Sequence, residues 1–107
     1  MMKDYFEIFE KAIAYQNKKR KEDGEQSENI CYFCLNFSEG VSVQKIKNRV
    51  FKISLMVPGE RVPEIYEVET KTPSLLDIDP FKKYCIECII LEEIYHNKEL
   101  ASAVYDY

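Results

Sequence analysis

Apolar side chains recur at helical spacing through the first part of the chain. Met2, Tyr5, Phe6, Phe9, Ala12 and Ile13 return every three or four residues, while Lys3, Asp4, Glu7, Glu10 and Lys11 fall largely elsewhere. This predicts an amphipathic helix over residues 2–21. Asp23-Gly24 and the polar residues 25–28 end it and form a short connector. Beyond residue 40 the pattern changes. Val43, Ile46, Val50, Phe51, Ile53, Leu55 and Val57 suit strands between residues 41 and 57, with Lys47-Asn48 as the turn between two antiparallel segments. One continuous strand over residues 43–55 is the alternative, and it would align Lys45, Lys47 and Arg49 on one face. Pro58-Gly59-Glu60-Arg61 reads as a turn. A last strand over residues 62–70 follows; Ile65, Tyr66 and Val68 are its main apolar content, and Pro63, tolerated near a strand start or on a sheet edge, makes it peripheral rather than central. Residues 71–80 connect to a helix capped by Asp79, starting near Pro80 or closer to Cys85 and running to about Asn97. Its inner face is Ile86, Ile89, Ile90 and Ile94, with Glu87, Glu92 and Glu93 tending outward. Residues 98–107 extend that helix or fray.

A chain of 107 residues has room for one domain, or for a small domain with an appended helix. The division expected is a helix over residues 1–24 and a domain over residues 29–107. A hydrophobic fraction of 46% with 13% aromatics is that of a globular protein. A core this small often leans on a metal or a partner chain. The net charge of −4 argues against non-specific affinity for nucleic acid. Its distribution is uneven: Lys18-Lys19-Arg20-Lys21 complements the carbonyl pole of the first helix, Lys45, Lys47, Arg49 and Lys52 gather in the strand region, and acids dominate residues 64–69 and 87–93. No secretory leader or bilayer-length apolar run is visible, so a cytoplasmic location is expected, where paired cysteines more often hold metal than form disulfides.

Two such pairs are present, Cys31-Tyr32-Phe33-Cys34 and Cys85-Ile86-Glu87-Cys88. Four thiolates in two C-x-x-C units can close a tetrahedral structural zinc site with Cys31, Cys34, Cys85 and Cys88 as ligands. An iron–sulfur cluster is the alternative occupant, and two disulfides in an exported protein the alternative chemistry. The first pair is expected in a turning knuckle over residues 29–37, with Asn36 suited to a left-handed conformation. The second is expected in the first turn of its helix, where free amides and the dipole favour thiolates. Knuckle, antiparallel hairpin, then helix is the order of a treble clef. The expected fold is therefore α+β, a small treble-clef-like zinc domain behind an N-terminal amphipathic helix. Filling all four positions with protein ligands leaves no place for substrate, which points away from an enzyme. His96, followed by Asn97, invites a nuclease reading but reads better as a cation near a helix end. No serine–histidine–acid set, glycine-rich phosphate loop or H-E-x-x-H helix is present.

The segments Cys31-Tyr32-Phe33-Cys34, Tyr84-Cys85-Ile86-Glu87-Cys88-Ile89-Ile90-Leu91 and Glu93-Ile94 resemble the N-terminal zinc-binding domain of the ClpX unfoldase. The resemblance covers those segments alone. It implies a treble clef that dimerises through apolar surface and recognises substrates or adaptor proteins without catalysing a reaction. The function expected is a zinc-binding protein–protein interaction module, an adaptor or inhibitor of a larger protein machine, working as a homodimer and presenting aromatics such as Tyr95, Tyr105 and Tyr107. The alternative is a small nucleic-acid-binding regulator using Lys45, Lys47, Arg49 and Lys52 as phosphate contacts.

Overall fold

The computed structural model describes residues 4–34 and 39–105. The roles expected of Met2, Asn36 and Tyr107 lie outside those residues. The first helix, α1 (Tyr5–Glu22), starts where Asp4 turns its carboxylate back to accept the Glu7 amide, so one of the unpaired donors of the first turn is satisfied. Tyr5, Phe6, Ile8, Phe9, Ala12 and Ile13 form its buried face, and Lys19, Arg20 and Lys21 occupy its last turn. Gly24 ends it at φ 77°, a left-handed conformation that glycine adopts without a Cβ clash.

Four strands follow, β1 (Ile30–Cys34), β2 (Gly40–Lys47), β3 (Val50–Val57) and β4 (Glu64–Thr70), paired antiparallel in chain order. The region over residues 41–57 is thus a hairpin and not one continuous strand. Its connection is the pair Asn48-Arg49, with Arg49 at φ 64° as tight hairpin turns require. As Pro63 suggests, β4 is an edge strand. Within the knuckle expected over residues 29–37, of which 35–37 lie outside the described residues, Ile30, Cys31, Tyr32, Phe33 and Cys34 depart from expectation and form a strand. The side chains explain it: isoleucine, tyrosine and phenylalanine favour a pleated surface, and β1 pairs in register with β2 from Ile30↔Gln44 to Cys34↔Gly40.

One face of the sheet carries Cys31, Phe33, Val41, Val43, Phe51, Ile53, Leu55 and Thr70 into the core. The rings of Phe6 and Phe9 sit 4.9 and 5.3 Å from that of Phe51, so α1 shares this core. The second helix, α2 (Pro80–His96), opens on Asp79, whose carboxylate accepts the Phe81 and Lys82 amides, and buries Ile86, Ile89, Ile90 and Ile94. Of the residues expected to extend α2 or fray, 98–105 are described and form a separate helix. Asn97 breaks the helix, its side chain caps the Leu100 amide, and α3 (Lys98–Tyr105) buries Leu100 and Val104. Helices α1 and α2 contact the sheet, and α3 packs on both helices.

The loop between β4 and α2 is held by one carboxylate. Asp77 accepts the hydroxyls of Thr70 and Thr72 at 2.6 and 2.7 Å and the Lys71 amide at 2.8 Å. The two edges of the sheet differ. Along β1, Gln16 of α1 donates to the Tyr32 carbonyl (2.7 Å) and accepts the Tyr32 amide (2.9 Å), while Arg20 donates to the Ile30 carbonyl (2.7 Å). Helix side chains thereby stand in for a fifth strand. Among the described residues, no backbone hydrogen bond is made to the outer side of β4.

Candidate functional site

The four cysteines are placed by two elements with different geometry. Strand alternation turns Cys31 and Phe33 inward and Tyr32 and Cys34 outward, so a spacing of three puts the paired sulfurs on opposite faces of the sheet. Cys31 is 0% exposed. Burial pushes its thiol up from an ordinary 9.0 to about 12, with the Arg20 guanidinium offsetting part of the rise. Cys34 is exposed on the open face, opposite Gly40. Cys85 and Cys88 do not occupy the first turn of their helix, because α2 begins at Pro80 and the free amides at its start are taken by Asp79. Cys85 lies at the margin of the core, and Cys88 lies one turn beyond Tyr84, whose hydroxyl its thiol holds above the ordinary range.

Among the described residues no three Cys, His, Asp or Glu side chains converge as metal ligands would. As folded, Cys31, Cys34, Cys85 and Cys88 do not fit a single ion, since two of them point away from each other across β1. Gathering them would require the end of β1 to leave its pairing with Gly40 so that Cys34 could turn to the other face.

The basic residues divide between the two faces of the sheet, Lys45 and Arg49 lining one hollow beside α1 and Lys52 lying on the other side. Lys45 pairs with Glu10 at 2.7 Å, the Arg49 guanidinium lies 5.4 Å from the centre of the Phe6 ring, and Lys52 stands on the open face between Gln44 and Glu69. Lys47 is exposed at the hairpin end. These four cations do not form one stripe. His96 occupies the last turn of α2, exposed, with Nε2 3.1 Å from a Glu92 carboxylate oxygen.

A feature that the cysteine spacing obscured lies on the outer side of α2. Phe81, Tyr84 and Tyr95 are 69%, 67% and 81% exposed, and the half-buried Cys88 and Leu91 fall between them. Positions 81, 84, 88, 91 and 95 are separated by three, four, three and four residues, the spacing of a coiled-coil seam. They lie opposite Ile86, Ile89, Ile90 and Ile94, so α2 is apolar on two sides. A helix apolar on both sides is ordinarily covered on both. The seam is flanked by Glu87 and Glu92. Glu87 accepts the Tyr5 hydroxyl at 2.5 Å and faces Lys83 at 4.0 Å. Burial and then that hydrogen bond to Glu87 raise the Tyr5 hydroxyl far above its ordinary range, keeping it a donor.

The face of the sheet away from the helices carries a second feature. Gly40, Ser42 and Ser54 form a low floor between Tyr32 on one side and Met56 and Ile65 on the other, enclosing a shallow hollow of about 310 Å3. No helix of the described residues is long and apolar enough to cross a membrane. Comparison with family models, with curated proteins and with solved structures finds no match to this chain.

Proposed function

We propose that the chain is a non-enzymatic protein-interaction module, an adaptor or inhibitor of a larger assembly, that receives a helix of its partner along the outer face of α2. The observation that carries this reading is the exposed seam of Phe81, Tyr84, Cys88, Leu91 and Tyr95 on a helix whose opposite side is already buried. At 1.5 Å per residue the seam is about 21 Å long, enough for about four turns of a partner helix. Large aromatic side chains each offer roughly 150–250 Å2, so the three exposed rings present about 400 Å2. That reaches the size at which apolar patches mark interaction sites, and it is about half of what one partner contributes to a standard interface. The seam therefore supplies the centre of a contact and its neighbours the rim.

The test is affinity capture from the native host with the natural chain and with a Tyr84→Glu/Tyr95→Glu variant, both checked for an unchanged circular dichroism spectrum. A partner retained by the first and lost by the second is the expected result. Identical capture by both chains defeats the reading.

The zinc-centred form of this proposal has Cys31, Cys34, Cys85 and Cys88 holding a structural ion in a treble clef, with the resemblance to the ClpX N-terminal domain and its dimerisation attached. It is supported by the spacing of the two C-x-x-C pairs. It requires a backbone at residues 30–34 other than β1, and elemental analysis of the purified chain decides it.

A further inference from the structure

We infer that the outer edge of β4 is a second docking site, one that takes an extended basic segment of another protein as a fifth strand. The contrast between the two edges of the sheet points there. Side chains of α1 occupy the hydrogen-bonding groups of β1, whereas among the described residues β4 pairs on its β3 side alone. A free edge of this kind is a template for strand addition, in which main-chain hydrogen bonds provide affinity and alternate side chains provide choice.

The alternate side chains on the open face of β4 are Ile65, Glu67 and Glu69, all exposed. Within the sheet, Glu69 has Lys52 as its cross-strand neighbour, while Glu67 accepts the Ser54 hydroxyl at 3.4 Å. Residues directly opposite on adjacent strands interact, and like charges there repel. A strand that fits therefore carries an apolar residue opposite Ile65 and lysine or arginine opposite Glu67 and Glu69, two residues apart. A second copy of this chain fits less well, because the register that overlaps β4 with itself about Glu67 sets that glutamate against its own copy and supplies no cation to Glu69. The same acids that keep the edge from self-association select an oppositely charged guest. On the other face of β4 the Lys82 ammonium lies 5.1 Å from the centre of the Tyr66 ring, so an acidic side chain of the guest is accommodated there and not on the open face.

The experiment is a nuclear magnetic resonance titration of the isotope-labelled full chain at low salt with three synthetic heptapeptides. The first alternates threonine and valine and carries two lysines two residues apart; the second has glutamates in place of those lysines; the third is the lysine peptide N-methylated on alternate amides. The lysine peptide is expected to shift β4 amides and to bind about tenfold more tightly than the glutamate peptide. A Glu67→Lys/Glu69→Lys chain is expected to reverse that preference, and N-methylation to abolish binding. The Tyr84→Glu/Tyr95→Glu chain is expected to behave as the natural one, which separates this site from the α2 seam. Absence of β4 shifts at millimolar peptide overturns the inference. So does a preference that survives the charge reversal, or a chain that sediments as a dimer through β4.

Discussion

Replacing Cys31 and Cys34 separately by serine distinguishes a buried strand residue from a metal ligand. In the structure Cys31 is wholly enclosed by core side chains and Cys34 is exposed. Serine at position 31 places a hydroxyl where a sulfur was packed, and a buried hydroxyl without a partner costs about 1–3 kcal/mol. Serine at position 34 lies on the surface, where substitutions away from special features stay within about 0.5 kcal/mol. For a domain of this size each kcal/mol moves the melting temperature by about 4–8 °C. Cys31→Ser is thus expected to melt roughly 5–20 °C lower, and Cys34→Ser within a few degrees of the natural chain. The assay is thermal and urea denaturation followed by circular dichroism, with and without a chelator. A structural zinc ion contributes about 10 kcal/mol or more to folding, so ligands that share one ion lose comparable, large amounts when removed singly. Equal and severe losses at both positions, or unfolding of the natural chain by the chelator alone, would refute the strand placement and restore the four-sulfur site.

Four further outcomes follow from the same geometry. Asp77→Ala removes the acceptor for Thr70, Thr72 and the Lys71 amide; with the carboxylate itself exposed, the loss in urea denaturation is expected to be about 1 kcal/mol. Burial alone would raise the Asp77 carboxyl, but the hydrogen bonds from Thr70, Lys71 and Thr72 outweigh it and hold the group below an ordinary 3.8. Its contribution to stability is therefore present above that value and lost as pH falls through the lower folded-state value, and a pH series on Asp77→Ala should lack this acid phase. At the alkaline end the sign reverses: the Cys31 thiol, raised from 9.0 to about 12 by burial, contributes fully below pH 9 and progressively less as pH rises toward 12, so Cys31→Ala should flatten the fall in stability across that window. Gly59→Ala would drive a Cβ into the Val62 carbonyl oxygen, and a melting temperature lowered by several degrees is expected; an unchanged one would show that residues 58–63 turn differently.

How far the residues announced this structure depended on whether a pattern had one physical meaning or two. The spacing of Tyr5, Phe6, Phe9, Ala12 and Ile13 admits a helix and little else, and Asp79 before Pro80 marks a helix start for reasons of donor satisfaction alone. Those elements and the four buried isoleucines of α2 were legible. The stretch from Ile30 to Cys34 has two meanings. C-x-x-C fixes the distance between two sulfurs along the chain but not the backbone between them, and the same five residues alternate as a strand should. The separation of α3 from α2 rests on the Asn97 side chain capping the Leu100 amide, a local bond that periodicity does not register. The α2 seam is present in the spacing of Phe81, Tyr84, Cys88, Leu91 and Tyr95, but Cys88 belongs equally to the C-x-x-C pattern, and the sequence does not say which of the two it serves.

That double apolar character bears on whether the two proposed docking surfaces would act independently. The isoleucine face of α2 is committed to the core beside α1 and the sheet, so the opposite side of the helix looks away from the sheet. The Ile65, Glu67 and Glu69 side of β4 belongs to the sheet face that the helices leave open. A guest helix on α2 and a guest strand on β4 would therefore sit on opposite layers of the molecule, joined by a packed core whose β1 edge is locked by Gln16 and Arg20. Packing of this kind holds the two surfaces in fixed relation without bringing their guests into contact. The proposed adaptor role calls for that arrangement, and the effects of Tyr95→Glu and Glu67→Lys are then expected to be additive, as for substitutions that share no partner.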